Sequence, residues 1–283
     1  MNCPVCQEAS PGIKLIKDGT PILQCPHCAV AWWTPDADFE AKKTYDAAYF
    51  GGGSTDRGYD DYGQLESALL RTFRRRLKGL PLPDRNAELL DVGAAYSFAI
   101  RAARELGWEA SGIEVSQAAV QASQAGGENR IAVASADAIP FRDGRFQVVT
   151  LWDVIEHLTD PNAALSEIAR VLAPGGRLIL TTGDVESALA RLSGARWHLY
   201  TLPEHLYFFS RRSLQILLER NGFEIDQMTT EASFYTLGYL VERLRKSLLG
   251  TKGAGSGKWP GSNLEIPVNL FDIVRVTATR KSD

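Results

Sequence analysis

The chain reads as a doubly wound α/β domain, a seven-stranded and mostly parallel sheet, with a small knuckle at its N-terminus. Three observations carry this reading. From Glu88 onward, short apolar strand signals alternate with amphipathic helix signals, as a sheet covered on both faces requires. Seven such strand segments occur in that region. All four cysteines lie within the first 28 residues, in two pairs of C-x-x-C spacing.

The cysteine pairs come first along the chain. Cys3-Pro4-Val5-Cys6 and Cys25-Pro26-His27-Cys28 are separated by 18 residues. Two residues between thiolates let the backbone turn so that both sulfurs face one ion, and two such turns complete the tetrahedral S₄ set that zinc prefers. The segment 13–24, with Lys17-Asp18-Gly19-Thr20 between apolar runs, predicts a β-hairpin, so residues 1–35 have the layout of a zinc ribbon. Four thiolates from Cys3, Cys6, Cys25 and Cys28 leave no open position, which makes the zinc structural and His27 a solvated side chain. A redox dithiol pair is the alternative. Ala31-Trp32-Trp33-Thr34-Pro35 is apolar enough to plug the ribbon against the main domain.

Residues 36–84 read as a helical linker or lid. Tyr45, Tyr49 and Phe50 precede Gly51-Gly52-Gly53-Ser54, with Tyr59 and Tyr62 beyond and a helix from about 64 to 80. Arg71, Arg74, Arg75, Arg76 and Lys78 spread over more than one face of that helix and read as a solvated surface. The core, 85–283, then alternates: strand 88–92, helix 98–106, strand 109–113, helix 117–124, strands 131–134 and 146–151. Helix 162–172 stops at Pro174-Gly175-Gly176, and strand 177–182 follows. Helix 213–220, strand 223–229 and strand 273–279 complete it. Between them lie a helical insertion and flexible linker at about 232–262. The amphipathic part of that insertion, 234–249, reads as a lid or a homodimer face, with membrane-surface binding as an alternative.

Composition sets the outer limits. Apolar residues make up 45% and charged residues 23% of 283, ordinary for a globular protein large enough to need no disulfide staples. A net charge of −3 gives no general attraction to nucleic acid. No run approaches the roughly 20 apolar residues of a membrane span, and the N-terminus has no signal-peptide pattern. A reducing, cytoplasmic setting is the expectation.

In open α/β sheets, ligands bind beyond the carboxyl ends of the strands. The residues expected there are Gly93 to Ser97, Glu114, Asp137, Trp152-Asp153 and Gly183-Asp184. A glycine turn admits close approach of a ligand to the backbone. Glu114, 21 positions after Gly93, suits a ribose diol, because one carboxylate accepts from both hydroxyls. These residues alone define a nucleoside-type site.

Five segments in order narrow it. Leu90-Asp91-Val92-Gly93-Ala94-Ala95-Tyr96-Ser97 resembles the first motif of class I S-adenosylmethionine-dependent methyltransferases, and 111–116 and 136–141 resemble their second and third. Residues 146–158 resemble the fourth, and 165–180 the helix, turn and strand that follow. Residues 203–210 resemble the distal part of the small-molecule branch typified by ubiquinone O-methyltransferases. The likeness covers roughly 85–230. It implies a Rossmann-like methyltransferase core with S-adenosylmethionine as cofactor. By that resemblance Gly93, Ala94, Ala95 and Ser97 approach the methionine moiety, and Asp91 supports the turn. Glu114 with Val115 holds the ribose, Asp137 and Ala138 read adenine, and Trp152 and Asp153 sit beside the cofactor. Ala95 and Ser97 stand where the family usually has glycine; Ser97 is placed to N-cap the next helix.

A sulfonium methyl needs an aligned nucleophile and, for a hydroxyl, a base. His157 is the first candidate base and His205 the second, because imidazole titrates near neutrality. Trp197, His198, Tyr200 and Tyr207 are candidate acceptor contacts. Asp153, Glu156 and His157 also resemble the acidic and histidine cluster that holds a divalent metal in some quinone O-methyltransferases. The expected acceptor is a small molecule (a sugar, an aromatic or polyketide product, a quinone precursor) methylated on oxygen, with carbon as second choice. An RNA methyltransferase gripping its substrate through the ribbon is the rival, opposed by a pI of about 5.9. A non-catalytic relative and a nicotinamide oxidoreductase are the others, the latter lacking Gly-x-Gly-x-x-Gly.

Overall fold

The computed structural model describes residues 2–9, 11–35, 62–80, 87–249 and 260–281. The aromatic and glycine-rich lid segment around 45–59 and most of the 251–262 linker lie outside these residues. The N-terminal part holds β1 (Gly12–Lys17), β2 (Thr20–Gln24) and β3 (Ala31–Trp32), followed by helix α1 (Tyr62–Lys78). The core begins β4 (Glu88–Val92), α2 (Phe98–Glu105), β5 (Glu109–Glu114), α3 (Gln117–Ala125) and β6 (Ile131–Val133). It continues β7 (Phe146–Trp152), α4 (Pro161–Val171), β8 (Leu172–Gly183) and α5 (Ala188–Ser193). The last part is β9 (Tyr207–Phe208), α6 (Arg211–Arg220), β10 (Phe223–Thr230), β11 (Ser233–Thr236), α7 (Leu237–Leu249), β12 (Glu265–Val268) and β13 (Ile273–Arg280).

Seven strands form one sheet in the order β10-β13-β8-β7-β4-β5-β6. The five from β8 to β6 are parallel, while β13 runs antiparallel to both β8 and β10. Period-two alternation splits each strand between two cores. Leu90, Val149, Leu178 and Leu180 face α4 and α6; Leu89, Val148, Trp152 and Ile179 face α1, α2 and α3. The doubly wound architecture expected from the alternating signals is therefore present.

Local rules account for the boundaries. Asp18 and Gly19 both take positive φ, 49° and 84°, which a two-residue turn matching strand twist demands. Asp160 caps α4, accepting from Asn162 N at 2.9 Å and Ala163 N at 3.1 Å, ahead of Pro161 at the first helical position. At Pro174-Gly175-Gly176, expected only to stop the helix, β8 already starts at Leu172. Partners step from Phe146↔Leu172 to Val148↔Arg177, so 173–176 bulge out of the ladder, with Gly175 at φ 72°. The 232–262 insertion starts as a strand: β11 pairs antiparallel with β12, which no sequence signal indicated.

The cysteine knuckle shares the main core. β1, β2 and β3 form a sheet whose fourth strand is β9, from the core. Cys3, Val5, Cys25, Cys28, Val30 and Trp32 pack in one cluster with Phe209, Leu214 and Leu217. Two side chains donate to knuckle carbonyls: Ser210 Oγ to Cys28 O at 2.8 Å and Asn162 Nδ2 to Pro4 O at 3.3 Å. Among the described residues no helix is long and apolar enough to cross a membrane.

Trp32 is 5% exposed at this seam. Trp32→Ala is expected to cost about 3–5 kcal/mol, from lost burial plus the cavity left behind. Urea unfolding should show one transition, shifted for knuckle and core probes together; a knuckle that melts separately would contradict the shared core.

Candidate active site

The carboxyl ends of β4 and β5 form the first half of the site. Gly93 turns the chain at φ 75°, and a Cβ there would lie 2.5 Å from Val154 Cγ2, so glycine is required sterically as well as conformationally. Gly93 N and Ala94 N both donate to Ile113 O, at 2.9 and 3.0 Å. Ala95 and Ser97, where the resemblance expects glycine, both take left-handed backbone, at φ 43° and 63°. For residues with a Cβ that conformation costs roughly 1–2 kcal/mol each. Ser97 occupies the N-cap position of α2 but makes no side-chain cap; its hydroxyl pairs with Ser123 Oγ at 2.9 Å, and Ser123 donates to Ala95 O at 3.2 Å. This serine pair ties the strained turn to α3.

Glu114 closes β5 nearly buried, and burial pushes its carboxyl above the usual range. Its two oxygens each accept one backbone N–H, from Ala95 at 3.0 Å and Ser116 at 2.9 Å. A carboxylate has about four acceptor positions, so each oxygen retains capacity for a hydroxyl of a ribose diol. Val115 is half-buried beside it, and Asp137 and Ala138 are exposed in the turn beyond β6. Asp91, which the resemblance gives to supporting the turn, has its carboxyl hydrogen-bonded to a neighbouring strand. It accepts from Thr150 Oγ1 across the ladder at 2.6 Å, and burial raises its pKa to about 7.

The second half lies at the ends of β7 and β8. A small cleft, with room for about one water molecule, is lined by Glu156, Thr182, Gly183, Trp197, Leu199, His205, Tyr207 and Phe208. Glu156 accepts from Thr182 Oγ1 at 2.9 Å; desolvation, helped by the Asp153 charge, raises its pKa to about 8. His157 Nδ1 bonds Glu204 O at 2.9 Å and His205 Nδ1 bonds Leu199 O at 2.8 Å. A carbonyl only accepts, so each Nδ1 carries the proton, and the neutral His205 ring keeps its lone pair on Nε2. Burial lowers the pKa of both rings, that of His205 further because His157 faces it edge-on at 4.6 Å.

The structure sorts the expected acceptor contacts. Trp197 and Tyr207 line the cleft, whereas Tyr200 packs between Trp197 and Phe208, and His198 Nδ1 lies 3.6 Å from Asp272. His205 lines the cleft; His157 does not, and meets the His205 ring edge-on. Ligand atoms of Glu156, His157 and His205 come within 4.8 Å of one another, while Asp153 is engaged by Thr181 at 2.9 Å instead. Thr182 and Arg76 carried no sequence signal: a strand threonine and one arginine among five basic residues look ordinary. Arg76 is 4% exposed against Trp152, not solvated as the basic cluster implied.

In the knuckle the four sulfurs also lie within 4.8 Å of one another, with Cys3–Cys28 and Cys6–Cys25 each at 3.5 Å. A zinc tetrahedron with bonds of about 2.3 Å has edges of about 3.8 Å, so the donor set and its spacing fit that ion.

With this geometry in place, comparison with known proteins is specific. Residues 62–228 match the family model described as a methyltransferase domain. The chain therefore belongs to the methyltransferase-domain family, enzymes that draw their methyl group from S-adenosylmethionine. It is similar to a ubiquinone biosynthesis O-methyltransferase of Cereibacter sphaeroides, 27% identical over 65% of this chain and 72% of that one. A protein of the same description from Thiobacillus denitrificans is 24% identical, over 75% and 86% of the two chains. Among solved structures, a putative methyltransferase from Bacillus halodurans shares the fold at TM-score 0.53 and 18% identity, covering 76% of this chain and all of that one.

The raised pKa of Asp91 has a definite sign in stability. Its contribution is full below about 3.8 and is lost as pH climbs to about 7, because the buried form is the neutral one. Asp91→Asn should flatten the fall in Tm between about pH 4 and 7, read by thermal unfolding at constant ionic strength. Equal slopes in both proteins would refute the assignment.

Proposed function

We propose that this protein transfers a methyl group from S-adenosylmethionine to an oxygen of a small-molecule acceptor, with carbon as the alternative atom. The observation that carries the reading is the juxtaposition, along one sheet edge, of a desolvated carboxylate suited to a ribose and a cleft holding a neutral imidazole. The relatives named for ubiquinone biosynthesis support oxygen as the acceptor atom. The aromatic lining of Trp197, Tyr207 and Phe208 supports a flat acceptor such as a phenol or quinone precursor.

The cofactor supplies a methyl carbon already activated on a sulfonium. Glu114 accepts the ribose hydroxyls with Val115 beside it, with Gly93, Ala94 and Ala95 against the methionine part and Asp137 and Ala138 toward adenine, while Ser97, buried on Ser123, holds the turn. Trp152 and Asp153 bound the transferred group. His205 Nε2 takes the hydroxyl proton as the acceptor attacks, and Leu199 O holds the ring in the tautomer that permits it. His157 packs on that ring and keeps it neutral rather than acting as the base. Cys3, Cys6, Cys25 and Cys28 hold a structural zinc with no open position, so the metal braces the knuckle and takes no part in transfer.

Calorimetry with S-adenosylhomocysteine should find one site per chain, weakened at least tenfold in Glu114→Ala. With an aromatic diol as acceptor, His205→Ala should lower kcat by roughly 10²–10⁴ while leaving cofactor affinity unchanged. Absence of binding would sink the reading, and loss of turnover in His157→Ala alone would reverse the base assignment. Metal analysis should return one zinc per chain, and chelation should lower Tm; a metal-free protein of unchanged Tm would remove the zinc.

A further inference from the structure

We propose that Asp272 is a positioning residue that determines acceptor specificity: its carboxyl group fixes the Trp197 indole as the wall on which a planar, aromatic acceptor packs. The inference rests on the methyl-transfer reading above and names what selects the acceptor. Asp272 carried no sequence signal. It lies just before β13, whose first residue, Ile273, pairs with Gly183 at the end of β8. That places it at the sheet edge where ligands bind, and its backbone O accepts from Asp184 N at 2.8 Å. The side chain turns inward, to 1% exposure, and its Oδ2 accepts from Trp197 Nε1 at 2.9 Å. His198 Nδ1 stands 3.6 Å from the same oxygen, beyond hydrogen-bond range, so the indole is the group that this oxygen holds.

Two features mark this contact as more than packing. Among the described residues no lysine or arginine lies at ion-pair distance from Asp272, and burying a carboxyl group without such a partner is costly. The turn that delivers it is strained: Phe271 takes φ 58°, a left-handed backbone rare for a bulky residue, with its ring left in solvent. Asn269 holds that turn, accepting from Phe271 N at 2.8 Å and donating to Thr230 Oγ1 at 3.3 Å. Strain maintained in this way turns the next side chain, Asp272, inward.

The indole so held organises the wall. Gly183 lets it rest on the backbone of β8: a Cβ there would lie 3.0 Å from Trp197 Cη2 and 2.6 Å from Leu199 Cδ1. Trp197 meets Tyr200 edge-on, with centroids 5.2 Å apart at 87°, and Tyr200 meets Phe208 at 4.6 Å and 69°. Trp197 and Phe208 both line the cleft beside His205. An indole has a large apolar body and a single donor, so packing alone leaves its flipped orientation open. The one directional bond to Asp272 selects the orientation. A planar aromatic acceptor gains ring contacts from that wall, and a saturated ring of the same size does not.

The test uses the full chain, ¹⁵N-labelled, in complex with S-adenosylhomocysteine, with catechol and cyclohexane-1,2-diol as probes. Trp197 is one of six tryptophans, and its indole N–H signal is assigned by Trp197→Phe. Catechol should move that signal saturably and bind about tenfold more tightly than the saturated diol. Asp272→Ala should shift the signal before any probe is added and reduce the preference for catechol to about twofold or less. With an aromatic diol as methyl acceptor, the same variant should raise KM about tenfold while kcat falls less than about threefold, because His205 is untouched. Asp272→Asn keeps an acceptor oxygen for the indole and should retain most of the preference. If Asp272→Ala does not fold, Asp272→Leu, of similar volume and without an acceptor, takes its place. A Trp197 signal that catechol leaves unmoved overturns the proposal. So does an equal catechol preference in wild type and variant, even where Tm falls, since Asp272 is then a structural residue only. Failure of S-adenosylhomocysteine to bind strikes the methyl-transfer reading instead, while titration of catechol into the free protein still reads the Trp197 wall.

Discussion

Strand pairing between Ala31-Trp32 and Tyr207-Phe208 is the contact on which the arrangement of this protein turns. Two residues from each side form it, Ala31↔Phe208 and Trp32↔Tyr207, and the chain just beyond extends it: Trp33 N donates to Leu206 O at 3.3 Å and Trp33 Nε1 to His205 O at 2.8 Å. The segment so held carries His205, Tyr207 and Phe208 of the cleft. Its other edge is anchored by Leu206 N to Glu156 O at 2.8 Å. A loop of this kind, left alone, would have unsatisfied backbone groups and no fixed side-chain directions. The knuckle supplies both the partners and the apolar backing, so an element separate in sequence from the core holds one wall of its cleft in place.

A second constraint runs through the site as desolvated carboxylates. Asp91, Glu114 and Glu156 are all buried, and burial raises the pKa of each. Each has a hydrogen-bond donor, yet among the described residues none has a cation at ion-pair distance. Such groups favour ligands that bring hydroxyls or positive charge, and a sulfonium cofactor with a ribose brings both. At the end of β7 two buried donors, Arg76 Nε and Trp152 Nε1, have no acceptor among the described residues.

The turn after β4 shows how a pattern survives loss of its residues. Ala95 and Ser97 hold a backbone that glycine adopts at no steric cost, and the surroundings over-determine it. Ala95 N is bonded to Glu114, Ala95 O to Ser123 and Ser97 to Ser123. Reading Ser97 as a helix cap was reasonable from residue type, but its hydroxyl is committed to α3. A short side chain has several nearby partners, and only packing chooses among them.

Much of this molecule follows from order along the chain. Alternating apolar segments specify the parallel sheet because a buried strand must be apolar on both faces, and C-x-x-C spacing specifies a four-sulfur cluster because the turn is local. Asp91, Gly93 and Glu114 were recognisable because strand ends in such sheets are ligand sites by geometry. Tertiary structure alone decided what depends on distant segments. It placed His205 in the cleft and His157 outside its lining, because a strand from the knuckle fixes the loop. It buried Arg76 while Arg71, Arg75 and Lys78 of the same helix stayed exposed, because β11, absent from any local signal, covers that side of α1. Local periodicity reports which face of an element is apolar; it carries no information on which far segment will cover a given polar group.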